Sequence, residues 1–163
     1  MSDTSTHLLL PYLVAAQALA ARTTLRRPVP VQRLVADIAD KAQALTQEYG
    51  GRPFGVGLLV AGIDATGAHL LEFGPAGTCL EYHATAIGAR SQSARTSLEK
   101  HIDALENATL PELVGIALGA LRDTLPPDAA PGLTPQNTAL GFVSADSFVV
   151  CDEAQVAEYL AAL

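Results

Sequence analysis

Apolar residues recur every three or four positions through the first third of the chain, then gather into runs and alternations, so helices are expected first and strands after them. Leu9, Leu10, Leu13 and Val14 share a helical spacing, and the alanine-rich stretch from Ala16 to Ala21 favours helix strongly. Pro11 suits only a first turn, so this helix is expected to begin close to it and to reach about Arg22. Arg27-Pro28-Val29-Pro30 forces an extended break. Beyond it Val31, Leu34, Val35, Ile38, Ala42, Leu45 and Tyr49 draw one apolar stripe, which predicts a second, amphipathic helix with its left-handed stop at Gly50-Gly51.

From Phe54 the period changes. Phe54 to Ala61 is an apolar run of strand length, Asp64-Ala65-Thr66-Gly67 reads as a turn, and Ala68 to Phe73 as a second strand. Gly74-Pro75-Ala76-Gly77 turns the chain into a third, Thr78 to His83. With those four residues as the loop, Phe73 pairs with Thr78, Leu71 with Leu80 and His69 with Tyr82. That register sets Leu71, Phe73, Leu80 and Tyr82 on one face and Glu72, Glu81 and His83 on the other, with His69 a polar neighbour of Tyr82.

Helical spacing returns from about Ala89 to Leu105, with Ala94, Leu98, Ile102 and Leu105 inward. The next helix opens on the capping box Thr109-Leu110-Pro111-Glu112, and its apolar face is Leu113, Val114, Ala117, Leu118 and Leu121. Pro126-Pro127 ends it, and the stretch to Asn137 reads as a surface loop. Thr138 to Val143 and Ser147 to Cys151 suggest a hairpin, and Asp152 caps a closing helix that docks through Val156, Tyr159, Leu160 and Leu163. Two helices, three strands, two helices, two strands and a helix predict a layered α+β domain with antiparallel sheet, not a βαβ nucleotide-binding chain.

Composition narrows the function classes. With 163 residues, 49% of them hydrophobic, the chain has the size of one domain and is too apolar to remain disordered. Ten Lys and Arg against 17 Asp and Glu give a net charge of -7, which argues against nucleic-acid binding despite the small cluster Arg22, Arg26, Arg27 and Arg33. The longest apolar stretch, Leu8 to Ala21, is shorter than the ~20 residues that span a bilayer, so no membrane partner and an intracellular site are expected. Cys79 and Cys151 are expected as reduced thiols.

Signatures of chemistry are sparse. Gly55-Val56-Gly57 runs on into Leu58-Leu59-Val60 with neither a third glycine nor a lysine, no glycine-flanked elbow surrounds a serine, and neither Cys-x-x-Cys nor His-x-x-x-His occurs. His69 and His83 fall on opposite faces in the register above, so no metal and no cofactor are expected. Glu72 and Glu81, on one polar face, and Asp103, Glu106 and the Glu99-Lys100 pair read as solvated charges rather than acid/base partners.

Two strings carry most of the identity: Gly51-Arg52-Pro53-Phe54-Gly55-Val56, and Ala86-Ile87-Gly88-Ala89-Arg90-Ser91-Gln92. With Gly67-Ala68-His69-Leu70 and Gly74-Pro75-Ala76-Gly77 between them, the series resembles the alpha-type subunits of the 20S proteasome. Leu71-Glu72-Phe73 and Leu80-Glu81-Tyr82 look most like the type-1 branch, the sixth ring position. The resemblance covers roughly residues 14 to 163. It implies a four-layer αββα sandwich of the N-terminal nucleophile hydrolase type and a non-catalytic ring subunit, placed between other alpha subunits and against a beta ring, that supports assembly and gates substrate access in ubiquitin-dependent degradation. It further implies partnership with regulatory caps and a cytoplasmic and nuclear location. Arg52, Pro53, Phe54, Gly55, Gly57, Gly88, Arg90, Ser91 and Gln92 are the interface or family-motif residues it singles out. Gly55 and Gly57 would permit close backbone approach, and Arg52 would donate several hydrogen bonds across an interface.

Agreement fails before Val14: the family's Asp-Ala-Arg start of its first helix is absent near Thr6, His7 and Leu8. The gate tail, a helix on the ring face and several N-terminal strands are missing too, so a fragment or mis-started gene model is expected over a reduced paralogue. The lysine that meets the caps' carboxylate tails falls in that missing segment; Lys41 and Lys100 lie on predicted helices and do not replace it. Three other functions compete. A peptidase of the same fold needs a freed nucleophile at the chain start and an early lysine, for which Ser2 alone is available. Catalytic bacterial ring relatives lack the Arg52-Pro53-Phe54-Gly55 passage, and a free adaptor module would be a stable monomer.

Overall fold

The second helix organises the first half of the molecule. In the computed structural model, which describes residues 6–26, 29–126, 132–144 and 147–163, the chain divides into two units, Met1–Tyr82 and His83–Leu163. In the first, helices α1 (Thr6–Leu25) and α2 (Val31–Gln47) precede an antiparallel sheet of β1 (Leu58–Asp64), β2 (Gly67–Phe73) and β3 (Cys79–Glu81), in the order β1-β2-β3. Val35, Ile38, Ala39 and Ala42 of α2 are buried against Leu71 and Phe73 of β2, and Val14, Val31, Phe54, Val56, Leu58, Val60 and Cys79 pack round them. The i, i+3, i+4, i+7 stripe is therefore the core stripe. Its last member departs from expectation: α2 stops at Gln47, Gly50 turns at φ +83, and Tyr49 stands fully exposed.

Two other expectations give way here. Helix α1 starts at Thr6, so Pro11 lies inside it and not in its first turn. Strand β1 starts at Leu58, four residues later than the apolar run, because Phe54 and Val56 use their apolar surface to pack on the core without joining the ladder.

The largest correction is the register of β2 and β3. Leu71 faces Glu81, Glu72 faces Leu80 and Phe73 faces Cys79, one residue from the expected pairing. The loop is one residue longer than four: the Gly77 amide donates to the Gly74 carbonyl (3.0 Å), Gly77 takes φ +87, and the Gly74 amide donates to Thr78 (2.8 Å). A tight turn followed by one left-handed glycine is the bulged hairpin loop, and the bulge absorbs the extra residue. A one-residue slip exchanges faces. Leu80 is consequently more than half exposed, while Glu81 moves to the α2 side with His69, Leu71 and Phe73.

The second unit holds α3 (Ser91–Glu99), α4 (Ile102–Leu105), α5 (Leu110–Arg122), a ribbon of β4 (Gly141–Val143) and β5 (Phe148–Val150), and α6 (Glu153–Ala161). The single helix expected from Ala89 to Leu105 is broken at Lys100–His101, where the His101 ring bonds the Ser97 carbonyl (3.0 Å) and its amide the Leu98 carbonyl (3.0 Å). Ile102 is in consequence exposed rather than inward. Helix α5 packs with α3 and α6. It buries Val114, Leu118 and Ala120, whereas Leu110, Leu113 and Leu121 remain exposed, so the inward face is narrower than expected. A capping box opens α5 at Thr109 and Asp152 caps α6, as the sequence predicts, and Gln155 completes a second box there. Phe142 meets Tyr159 edge-on at 6.1 Å. The architecture is α+β. The break at Arg27-Pro28, the stop at Pro127 and the candidate nucleophile Ser2 lie outside the described residues.

Candidate functional site

The register shift gathers a polar cluster that the sequence reading had dispersed. Helix α2 begins after Pro30, which has no side chain able to cap it, so the first amides of the helix need a partner from elsewhere. Asp64, at the end of β1 and 33 residues away, supplies it: its Oδ2 accepts the Val31 amide at 3.1 Å. A carboxylate there also meets the positive end of the helix dipole. Gly62 lets the helix start come this close, since a Cβ on it would sit 2.6 Å from the Val31 side chain.

The other oxygen of Asp64 accepts the Thr66 amide at 2.8 Å and the Thr66 hydroxyl at 2.5 Å, the turn bonds expected of an Asp at this place. His69 follows on β2 opposite Gly62. Its Nε2 lies 2.7 Å from Thr66 Oγ1 and 3.1 Å from Asp64 Oδ1, and its Nδ1 lies 2.5 Å from Glu81 Oε1 on β3. Glu81 Oε2 in turn accepts from the Gln32 side chain of α2 at 2.8 Å. Three strands, their turn and the start of α2 thus meet at one imidazole.

Charge follows from these bonds. The Thr66 hydroxyl and amide, then the Val31 amide, hold the Asp64 carboxyl well below the usual carboxylate range. The bonds from His69 and Gln32 lower Glu81, and the bond to Glu81, then Asp64, raises His69 above its ordinary value in spite of partial desolvation. A hydroxyl, an imidazole and a carboxylate in contact have the parts of a nucleophilic triad. The charges are wrong for one. An imidazole between two carboxylates is stabilised with both nitrogens protonated, and in that form it donates to Thr66 Oγ1 and cannot take a proton from it, while the hydroxyl proton points to Asp64. The arrangement is a tether. Among the described residues no group of three or more His, Cys, Asp or Glu could hold a metal.

The motif residues lie in both units. Arg52, Pro53, Gly55 and Gly57 are exposed on the segment between α2 and β1, and Phe54 is half-buried against the core. Gly57 permits one close approach within the chain itself, a Cβ there lying 3.2 Å from the Phe73 carbonyl, whereas a Cβ on Gly55 would meet open space. Arg52 has no hydrogen bond or ion pair with another described residue. In the second unit Gly88 (φ +106) and Arg90 (φ +55) turn the chain into α3, whose first residues are Ser91 and Gln92. A non-glycine residue in the left-handed region is uncommon and costs roughly 1–2 kcal/mol. Sequence reasoning missed Asp64, Thr66 and Glu81 as partners of His69, and Gln32 as the partner of Glu81. For Glu81 the available signal was Pro75 followed two residues later by Gly77, which points to the bulged loop and hence the true β2–β3 register.

The free thiols Cys79 and Cys151 follow on β3 and just after β5. Among the described residues no helix is long and apolar enough to cross a membrane.

The sequence pattern of one protein family, described as "Proteasome subunit", matches residues 12–134. The chain is 46% identical over 145 residues to "Probable proteasome subunit alpha type-6" of Schizosaccharomyces pombe, a match that covers 88% of this chain and 53% of that protein. It is 48% identical over 136 residues to "Proteasome subunit alpha type-1" of Caenorhabditis elegans (83% and 52%), and 42% identical over 137 residues to "Proteasome subunit alpha type-6" of Saccharomyces cerevisiae (82% and 57%). The chain spans about half the length of the curated relatives it matches.

Proposed function

The chain belongs to the proteasome subunit family, and from that premise we propose that it serves as a non-catalytic, alpha-type structural subunit of the 20S proteasome. The observation that carries the reading is 42–48% identity to alpha-type subunits over more than four-fifths of the chain. The tether round His69 agrees with it: the acid groups that flank the imidazole suit a group that binds the chain to itself, not one that activates a nucleophile.

In this role the chain packs beside other alpha-type subunits and against beta-type subunits, in a ring whose other subunits dock regulatory caps, and supports ubiquitin-dependent degradation in cytoplasm and nucleus. Its work is done by surfaces. The exposure of Arg52 supports a role in which its planar fork bonds a neighbouring subunit, and that of Pro53, Gly55, Arg90 and Gln92 supports interface roles for them as well. Affinity purification of the tagged protein from its cells, followed by mass spectrometry, is expected to recover six other alpha-type and seven beta-type chains. Recovery of the bait alone, as for a free adaptor, overturns the reading.

A further inference from the structure

Helix α2 is not capped by its own sequence. Pro30 precedes it, no acidic residue stands in its first turn, and its first amide is held by Asp64 from the far end of β1. Asp64 is in turn held by the Thr66 amide and hydroxyl and by His69, whose other nitrogen holds Glu81, which holds Gln32 of the same first turn of α2. The helix start is thus gripped twice, at Val31 and at Gln32, and one ring touches both of the carboxylates that grip it.

We propose that His69 is a positioning residue forming a proton-controlled latch, in which the imidazolium docks the start of α2 on the hairpin and the neutral ring lets it loosen. The reason is a count of hydrogens. The imidazolium offers two N–H groups, one to Asp64 and Thr66 through Nε2 and one to Glu81 through Nδ1. A neutral ring has one N–H for two carboxylates. If Nε2 loses the proton, its lone pair faces Asp64 Oδ1 at 3.1 Å and competes for the Thr66 hydroxyl, so the carboxylate that caps Val31 loses donors. If Nδ1 loses it, Glu81, the more exposed acid, swings away and Gln32 is released.

The charged groups that face the ring are Asp64 from β1 and Glu81 from β3; the turn brings the Thr66 hydroxyl, and α2 brings the Gln32 amide and the Val31 N–H. The signs follow. Because the histidine is raised, its contribution is complete below its ordinary value of 6.5 and fades as pH rises through the higher value it holds when folded. Because Asp64 and Glu81 are lowered, theirs is complete above the ordinary 3.8 and 4.5 and is lost as acid protonates them. The latch is therefore closed in mildly acidic solution and opens toward alkaline pH.

Hydrogen–deuterium exchange of the full chain, read by mass spectrometry, reports both partners in one sample: slow exchange at the histidine ring carbon gives the titration of His69, and backbone exchange gives the protection of residues 31–36. His69 is expected to titrate above its ordinary value, and protection of the α2 start, corrected for intrinsic chemistry, to fall about threefold to tenfold across that midpoint. Glu81→Gln should move the midpoint down and bring the loss of protection with it, and His69→Gln should leave protection low and flat with pH. An unshifted His69, or protection that stays constant while His69 titrates, overturns the proposal. Should the His69→Gln chain fail to fold, Glu81→Gln decides alone: a midpoint that moves without moving the loss of protection overturns it equally.

Discussion

The two units differ in the reach of their polar bonds. In the first, side-chain bonds join residues 33 and 49 positions apart, Val31 to Asp64 and Gln32 to Glu81, and lie beside a closed core. In the second, side chains mostly bond within three or four positions: Thr109 with Glu112, Asp152 with Gln155, His101 with Ser97, Ser144 with Ser147. Its apolar surface is also less enclosed, with Phe148, Val149 and Val150 exposed in sequence on β5. Long-range bonds fix tertiary structure; local ones fix where helices begin. The first unit covers the α2 side of its sheet and leaves Leu59, Ile63 and Leu80 exposed on the other, whereas the second orders its elements well and leaves still more apolar side chains open.

Two phenylalanines set the contrast at its widest. Phe73 is 1% exposed under α2, and Phe148 is 68% exposed on the ribbon. Phe73→Ala is expected to cost about 3–5 kcal/mol, the range for a buried ring that leaves a cavity, read by urea denaturation of the full chain followed by circular dichroism. A loss below about 1 kcal/mol would show that the first unit has no closed core.

Gly77→Ala comes next. The glycine takes φ +87, and a Cβ would lie 2.8 Å from both the Ala39 carbonyl and Gln43 Cβ on α2, so the bulged loop would have to lift from the helix. A left-handed alanine alone costs roughly 1–2 kcal/mol, and the contact adds to it, for about 2 kcal/mol or more in the same measurement. A neutral result would mean that the loop does not rest on α2 and that the β2–β3 register is not pinned there.

This loop also marks the limit of what the sequence discloses. The apolar stripe of α2 short of Tyr49, the capping box at Thr109, the cap at Asp152 and the Asp64–Gly67 turn are local patterns, and each stands where it was expected. The His69 cluster is not local. Its link to β3 depends on one bulge residue, and counting Gly74–Gly77 as a plain four-residue loop sent Glu81 to the wrong face and hid its bonds to His69 and Gln32. The break at His101 and the short strand start at Leu58 were illegible for a related reason: apolar spacing shows which residues seek burial, not whether they find it in a ladder, a helix or a packed loop. The family strings were legible throughout, though spacing alone did not show that Phe54 anchors its string while Arg52 points out.

The smallest effect belongs to the other ring. Phe148→Ala should change the stability of the chain by less than about 1 kcal/mol, since the side chain is mostly in solvent and covers little beyond Gly141 across the ribbon. A loss as large as that of Phe73 would erase the contrast between the units.

That Thr66, His69 and Glu81 hold the chain together and cleave nothing is tested most directly by incubating the purified full chain with fluorogenic peptides and with a fluorophosphonate probe, then mapping adducts by mass spectrometry. No hydrolysis above buffer and no adduct on Thr66 are expected, because the two flanking carboxylates favour the charged imidazole and the hydroxyl proton is already given to Asp64. Turnover that Thr66→Val abolishes, or a labelled Thr66, would contradict it and make this cluster a catalytic site.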